Sequence, residues 1–216
     1  MAEEETLDRH LTIEALRASE TAAIAAAKLV GKGDERQADE VAADAMRSAL
    51  NHVAINGKVV IGEGERDEAP MLFIGEKVGN GDGPDVDVAV DPLEGATITA
   101  IGGSNAMSVV AFSESGGLLN APDVYMDKLA VGGGLPAGLI DLDEPPADAV
   151  RAVASARGVE TSDVVACILN RPRHEEIIAK VREAGARIRL IPDGDVAGVI
   201  ATSTPASGID IYLGVG

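Results

Sequence analysis

The chain has 216 residues and a formal net charge of −18, from 18 Lys and Arg against 36 Asp and Glu. Hydrophobic residues make up 46% and aromatic residues only 2%, so the core must be built from Ala, Val, Ile and Leu. Nucleic acid and anionic membrane are excluded as natural partners, because both are bound by basic patches. One cysteine, Cys167, and an acidic N-terminus without signal-peptide features predict a cytoplasmic protein.

The first half of the chain predicts two helices followed by strands. The helix predicted over 11–30 buries Leu11, Ile13, Leu16, Ala23, Ala27 and Val30, and the helix over 38–52 buries Val41, Ala42, Ala45, Met46 and Leu50. Strands are predicted at 58–61, 68–78, 85–90 and 107–114, with a Gly-rich turn at 79–84.

The second half alternates helices with strands, which predicts the α/β class. Helices are expected at 147–157, 173–184 and 194–201, and strands at 163–169, 186–191 and 209–213, with Cys167 buried in the first of these strands. A Gly- and Pro-rich stretch, 131–147, predicts a connection between two domains, 1–130 and 131–216. The chain stops at a glycine turn after a strand, where a helix usually follows, so we expect the second half to be incomplete.

Two apolar strands are predicted to end in carboxylate-rich turns. Val60-Ile61-Gly62-Glu63-Gly64-Glu65 is the first, and Val90-Asp91-Pro92-Leu93-Glu94-Gly95 is the second. Carboxylates gathered at strand ends can hold hard divalent cations, which in turn hold phosphate. The pattern favours metal-assisted phosphate chemistry, although Asp-Pro also begins ordinary turns, and Asp39 near a helix start can equally be a cap or a dipole partner.

Two later loops also join a strand to a helix. Arg171-Pro172-Arg173-His174 is either a phosphate clamp or a solvated basic turn. Pro192-Asp193-Gly194-Asp195 either accepts hydrogen bonds from sugar hydroxyls or caps its helix.

Together these motifs resemble class II fructose-1,6-bisphosphatases, a bacterial branch of the metal-dependent sugar phosphatases. The matching stretches are 31–34, 38–39, 45–47, 59–72, 91–95, 125–126, 171–174, 185–187 and 193–196. The resemblance implies a layered α-β-α-β-α fold, a homo-oligomer, and Mn²⁺ or Mg²⁺ as cofactor. It also implies hydrolysis of the 1-phosphate of fructose 1,6-bisphosphate, as in gluconeogenesis, with sedoheptulose 1,7-bisphosphate a further substrate of some relatives.

The resemblance also implies roles for individual residues. The metal ligands would be Asp39, Glu63, Asp91 and Glu94, with Glu65 and Asp67 as catalytic residues beside them and Asp67 orienting the attacking water. The substrate would be bound by Glu94, Gly95, Tyr125, Arg171, Arg173, Asp193, Gly194 and Asp195.

Three departures from the family pattern weaken the expectation of full activity. Ala96 stands at the catalytic position where the family has Thr, and Glu35 stands where it usually has Lys. A C-terminal Ala-Pro-Glu-Gly segment, with one more carboxylate ligand, is also missing. We therefore expect slow turnover from this chain, with metal and substrate still bound.

Two other functions remain open. Inositol-phosphate and phosphoadenosine phosphatases share Asp-Pro-x-x-Gly, but their motif carries Trp and a second Asp, whereas this chain has no Trp and has Glu94. A non-catalytic sugar-phosphate-binding or scaffold protein is favoured by Ala96, by Glu35 and by the expected truncation.

Overall fold

The structure, a computed structural model, describes residues 2–64, 71–122 and 124–216, and the side chains from residue 11 onward within those ranges. It contains two compact units, Met1–Asp123 and Val124–Gly216. Each unit packs helices on a mixed sheet, which confirms the predicted α/β class. Within the described ranges, no helix is both long enough and apolar enough to cross a membrane.

The first unit is a four-stranded sheet with three helices. In chain order it comprises α1 (Ala2–Ala27), α2 (Glu35–Leu50), β1 (Asn56–Ile61), β2 (Lys77–Val78), β3 (Asp85–Glu94), α3 (Ala96–Ile101) and β4 (Met107–Glu114). The strand order is β2-β1-β3-β4, in which β1 and β3 are parallel and the two edge strands are antiparallel to their neighbours. The carboxyl ends of β1 and β3 therefore lie at the same edge of the sheet.

The predicted buried face of α1 is wrong. Ile13, Leu16 and Val30 are exposed, and the buried residues are Ala18, Ala22, Ala26 and Leu29. α1 packs on α2, whose Ala38 and Ala42 are also buried. Small side chains on both helices allow their backbones to approach closely. The buried positions at this contact are therefore alanines rather than larger apolar residues.

The β-structure of this unit differs from the prediction at two places. Residues 71–76 of the strand predicted at 68–78 are not in a strand, and only Lys77–Val78 pairs with β1. The strand predicted at 85–90 continues to Glu94, because Asp91 and Glu94 pair with Val109 and Met107 of β4. Asp91-Pro92-Leu93-Glu94 is thus an irregular strand end rather than a turn.

The second unit is a four-stranded sheet with helices on both faces. It comprises β5 (Asp127–Val131), α4 (Pro146–Arg157), β6 (Val165–Leu169), α5 (Glu175–Glu183), β7 (Arg187–Ile191), α6 (Asp195–Thr202) and β8 (Ile211–Val215), in the strand order β5-β8-β6-β7. β6 is parallel to β7 and β8, whereas β5 is antiparallel to β8. All the predicted helices and strands of residues 147–213 are present, and β5 is an additional strand.

Side chains of β6 and β8 alternate between the two faces of this sheet. Ala166, Ile168, Ile211 and Leu213 pack with the buried residues of α4 and α5. Cys167 and Tyr212 point to the other face and pack with Val199 of α6. Cys167 is buried in a strand, as predicted.

Candidate functional site

The parallel pairing of β1 with β3 brings two predicted metal ligands together. Ile61 is the register partner of Ala89, and Glu63 and Asp91 each follow two residues later. Asp39, on the second turn of α2, contributes a third carboxylate. We call Asp39, Glu63 and Asp91 the acidic cluster.

The charges of the acidic cluster act on one another. Burial raises the pKa of Glu63 to about 8, and the negative charges of Asp39 and Asp91 add to that rise. Burial also raises the pKa of Asp39, with a smaller contribution from Glu40. Carboxylate oxygens are the ligands that hard divalent cations prefer, so the three side chains have suitable chemistry, but within the described residues they are not grouped as a metal site. In residues 2–64, 71–122 and 124–216, no three His, Cys, Asp or Glu side chains stand in an arrangement that could itself hold a metal ion.

The backbone around Glu63 is tightly fixed. The Glu63 N–H donates to the carbonyl oxygen of Leu72 at 3.0 Å, and the Ile74 N–H donates to that of Gly64 at 3.0 Å. A Cβ on Gly62 would lie 2.0 Å from the Leu72 oxygen, so only glycine fits there. Glu63 is therefore held at one position against the segment that follows the undescribed residues 65–70.

Glu94, Gly95 and Ala96 mark the junction of β3 with α3. Glu94 is buried at the end of the strand, and Gly95 has φ +103°, which favours glycine. Ala96 is the half-buried first residue of α3. The predicted catalytic residues Glu65 and Asp67 lie outside the described residues.

Asp39 is not the cap of its helix. The N-cap of α2 is Asp34, whose side chain accepts a hydrogen bond from the Gln37 N–H at 2.9 Å. Glu35 is exposed, and Arg36 pairs with Glu40 at 2.7 Å on the surface. Asp34 therefore caps α2, and the Asp39 side chain is not used as a cap.

A second group of residues, most of them predicted to bind the substrate, lies at one edge of the second unit's sheet. Because β6, β7 and β8 are parallel, the loops after β6 and β7 and the end of β8 lie together. The residues there are Tyr125, Lys128, Arg171, Arg173, Asp193, Gly194, Asp195 and Gly216, which we call the carboxyl-edge site.

The two arginines of the carboxyl-edge site differ in their partners. Arg171 lies 3.7 Å from the Asp193 carboxylate. Arg173 donates through Nε to the Val215 carbonyl oxygen at 2.8 Å, and its guanidinium carbon lies 4.5 Å from the ring centroid of Tyr125, which is 72% exposed. In the part of the chain that the structure describes, no carboxylate lies within ion-pair distance of Arg173. Its charge is therefore the one best suited to an incoming phosphate.

His174 holds this edge together from inside. It is fully buried; its Nε2 accepts a hydrogen bond from the Val215 N–H at 2.8 Å, so Nδ1 is the donor to the Leu169 carbonyl oxygen, also at 2.8 Å. The ring thus joins the end of β6 to the end of β8. This role was not predicted, since His174 reads in the sequence as part of a basic loop.

Lys128 was also missed by the sequence analysis. Its Nζ donates to Oδ2 of Asp195 at 2.6 Å. Lys128 lies in β5, a strand that was not predicted. The sequence signal for this strand is the alternation of larger apolar residues at Leu129 and Val131. Gly194, with φ +89°, precedes Asp195, the first residue of α6.

Comparison with known proteins gives a consistent result. The model of the family described as "Bacterial fructose-1,6-bisphosphatase, glpX-encoded" matches residues 9–216. Fructose-1,6-bisphosphatase 1 class 2 of Escherichia coli K12 is 52% identical over 208 residues, which are 96% of this chain and 62% of that protein. The class 2 enzymes of Escherichia coli O6:H1 and Shigella flexneri match with the same figures. The chain thus spans just under two thirds of the length of these relatives.

Proposed function

This chain belongs to the bacterial class 2 fructose-1,6-bisphosphatase family, and from that premise we propose that it is a metal-dependent sugar bisphosphatase. The proposed reaction releases the 1-phosphate of fructose 1,6-bisphosphate and leaves fructose 6-phosphate. The observation that carries the proposal is the proximity of Asp39, Glu63 and Asp91: burial, together with the negative charges of the other two carboxylates, raises the pKa of Glu63 to about 8.

The acidic cluster would hold the cation. Asp39, Glu63 and Asp91 supply carboxylate oxygens, with Glu94 proposed as a further ligand at the end of β3. The chemistry that Mn²⁺ or Mg²⁺ supplies when bound is Lewis-acid activation of a phosphate ester. Binding of a cation also removes the repulsion among the three carboxylates, which favours the loaded form.

The carboxyl-edge site would bind the phosphorylated sugar. Arg173 offers a cation for phosphate and Arg171 a second one, while Asp193 and Asp195 are acceptors for sugar hydroxyls. The Tyr125 ring lies under the Arg173 guanidinium, and this cation–π contact favours that orientation of the arginine.

Calorimetry followed by a phosphate-release assay tests the proposal. Fructose 1,6-bisphosphate is titrated into the chain with Mn²⁺, with Mg²⁺ and with a chelator, and free phosphate is then measured. Cation-dependent binding and release support the proposal, and absence of both contradicts it. Asp91→Asn is the matched test variant, because it keeps the side-chain shape and removes one charge of the acidic cluster.

A non-catalytic sugar-phosphate-binding protein is the second candidate, favoured by the methyl side chain of Ala96 in place of a hydroxyl. Binding without phosphate release identifies it. Inositol 1-phosphate serves as the competing substrate for the inositol-phosphatase alternative, and sedoheptulose 1,7-bisphosphate tests the range of sugars. A homo-oligomer in the cytoplasm completes the proposal, and light scattering measures the mass in solution.

A further inference from the structure

Lys128 and Asp195 are brought together by the fold of the second unit. They are 67 residues apart in sequence, yet the Nζ–Oδ2 distance is 2.6 Å. The same Nζ also donates to the main-chain oxygen of Gly216. The Lys128 side chain is 36% exposed and that of Asp195 is 18% exposed, so the pair is partly removed from water.

Each end of the pair is fixed by backbone structure. Lys128 is paired with Gly214 in the β5–β8 ladder. Asp195 begins α6 directly after Gly194, whose left-handed conformation turns the chain from β7 into the helix. With both backbones fixed, the ammonium group of Lys128 holds the Asp195 carboxylate in one orientation.

The cations of the carboxyl-edge site are therefore not equivalent. The charge of Lys128 is compensated by Asp195 at 2.6 Å, whereas Arg171 lies 3.7 Å from Asp193, and Arg173 has only a carbonyl oxygen and an aromatic ring beside it in the described part of the chain. A compensated cation attracts phosphate weakly, but it positions its carboxylate well.

We propose that Lys128 is a positioning residue, which orients Asp195 to accept hydrogen bonds from the hydroxyl groups of a sugar phosphate and thereby separates sugar phosphates from other phosphate esters. The inference rests on the proposed function in taking a phosphorylated sugar as the ligand of the carboxyl-edge site. The phosphate groups would be bound by Arg171 and Arg173.

Two ligands with the same phosphates and different hydroxyl content test the inference. Fructose 1,6-bisphosphate and hexane-1,6-diyl bisphosphate are titrated by calorimetry, with Mn²⁺, into the unaltered chain, Lys128→Met and Lys128→Arg. Lys128→Met is expected to weaken the binding of the sugar bisphosphate by about tenfold. The binding of the hydroxyl-free bisphosphate is expected to weaken by less than about twofold. Lys128→Arg is expected to restore most of the lost affinity. Thermal unfolding checks each variant, and Lys128→Gln replaces Lys128→Met if the latter does not fold.

A double variant tests whether Lys128 acts through Asp195. In an Asp195→Asn background, Lys128→Met is expected to cause no further loss of sugar affinity. The inference is overturned if Lys128→Met weakens the binding of both ligands equally or the binding of neither. The proposed function is not affected by either result. If the unaltered chain binds neither ligand, the proposed function fails, and the inference fails with it.

Discussion

Arg47 and Glu76 form an ion pair that links α2, which carries Asp39, to the segment before β2, which contacts Glu63 through Leu72. Nε of Arg47, on α2, lies 2.6 Å from Oε1 of the buried Glu76. The other oxygen of Glu76 accepts a hydrogen bond from the Leu72 N–H, and Leu72 in turn accepts from the Glu63 N–H at 3.0 Å. The chain of contacts therefore runs from the helix of Asp39 to the backbone of Glu63.

Glu76→Gln is expected to destabilise the protein and to weaken cation binding. The substitution removes the charge that Arg47 neutralises but keeps the side-chain volume, so the free energy of unfolding should fall by about 1–3 kcal/mol. Urea denaturation measures the change, and calorimetry should show weaker Mn²⁺ binding because Glu63 is less firmly placed.

The surface pair Arg36–Glu40 is the matched control for Glu76→Gln. Its Arg36 Nε and Glu40 Oε1 atoms are 2.7 Å apart, close to the 2.6 Å of Arg47–Glu76, but Arg36 is almost fully exposed, so Glu40→Gln should leave the urea midpoint unchanged. An equal shift in both variants would show that the Arg47–Glu76 pair has no special role.

Glu63→Gln is expected to have opposite effects with and without metal. With a chelator at pH 7, folding must protonate Glu63 or bury its charge, because its pKa of about 8 in the folded protein lies above the ordinary value of 4.5, so Glu63→Gln should raise the free energy of unfolding by about 1–3 kcal/mol. With Mn²⁺ present, the variant should gain much less stability than the unaltered chain, since one ligand is lost. Thermal unfolding with and without Mn²⁺ gives both numbers. Destabilisation of the chelated variant would show that the carboxylates do not repel in the folded protein.

Two members of the acidic cluster, Glu63 and Asp91, were predictable from the sequence pattern, whereas Asp39 was assigned only through the family resemblance. Two apolar strands, each followed by carboxylates, place Glu63 and Asp91 at one sheet edge if the strands are parallel, and β1 and β3 are. The same logic predicted the loops after β6 and β7. Whether Asp39, Glu63, Asp91 and Glu94 bind metal stays a prediction.

The features that were missed depend on distant partners. Residues 91–94 extend β3 because β4 pairs with them, and β5 forms because β8 lies beside it. The buried face of α1 follows the helical spacing of Ala18, Ala22 and Ala26, which pack with α2, whereas the prediction gave more weight to the larger apolar residues of α1. Lys128 could not be assigned a role before β5 was placed next to β8.

Gly198→Ala is expected to destabilise the second unit. A Cβ there would lie 2.9 Å from two ring carbons of Tyr212 and 3.3 Å from Sγ of Cys167, so α6 would have to move off the sheet. Overpacking of this kind costs about 1–3 kcal/mol, which exceeds the gain of about 1 kcal/mol in helix propensity. Gly133→Ala is the control, because its Cβ would meet nothing within 4 Å. A Gly198→Ala protein as stable as Gly133→Ala would mean that α6 shifts freely.

The Cys167 thiol is expected to be unreactive in the folded protein. Burial raises its pKa from 9.0 to about 11, against a smaller opposing effect of Arg189. At pH 8 a thiol-specific reagent should therefore modify the native chain far more slowly than the chain in urea. The same shift predicts that stability falls as the pH rises from about 9 towards about 11, because the unfolded chain releases its thiol proton first. Cys167→Ala should abolish this component of the pH dependence; modification at equal rates in both states would contradict the burial of the thiol.

Ala96→Thr is expected to raise the rate of phosphate release while leaving ligand affinity nearly unchanged. Residue 96 is half-buried at the start of α3, beside Gly95 and the buried Glu94, and the family resemblance implies a Thr hydroxyl there that positions the attacking water. Such positioning is worth about 10²–10⁴-fold in rate.

Phosphate release from fructose 1,6-bisphosphate with Mn²⁺ is compared among the unaltered chain, Ala96→Thr and Thr97→Val, the last removing the neighbouring hydroxyl as a control. A gain confined to Ala96→Thr, with the calorimetric Kd constant within a few-fold, would identify the missing hydroxyl as the cause of slow turnover. If Ala96→Thr binds the cation and the sugar bisphosphate but releases phosphate no faster, residue 96 does not limit the reaction.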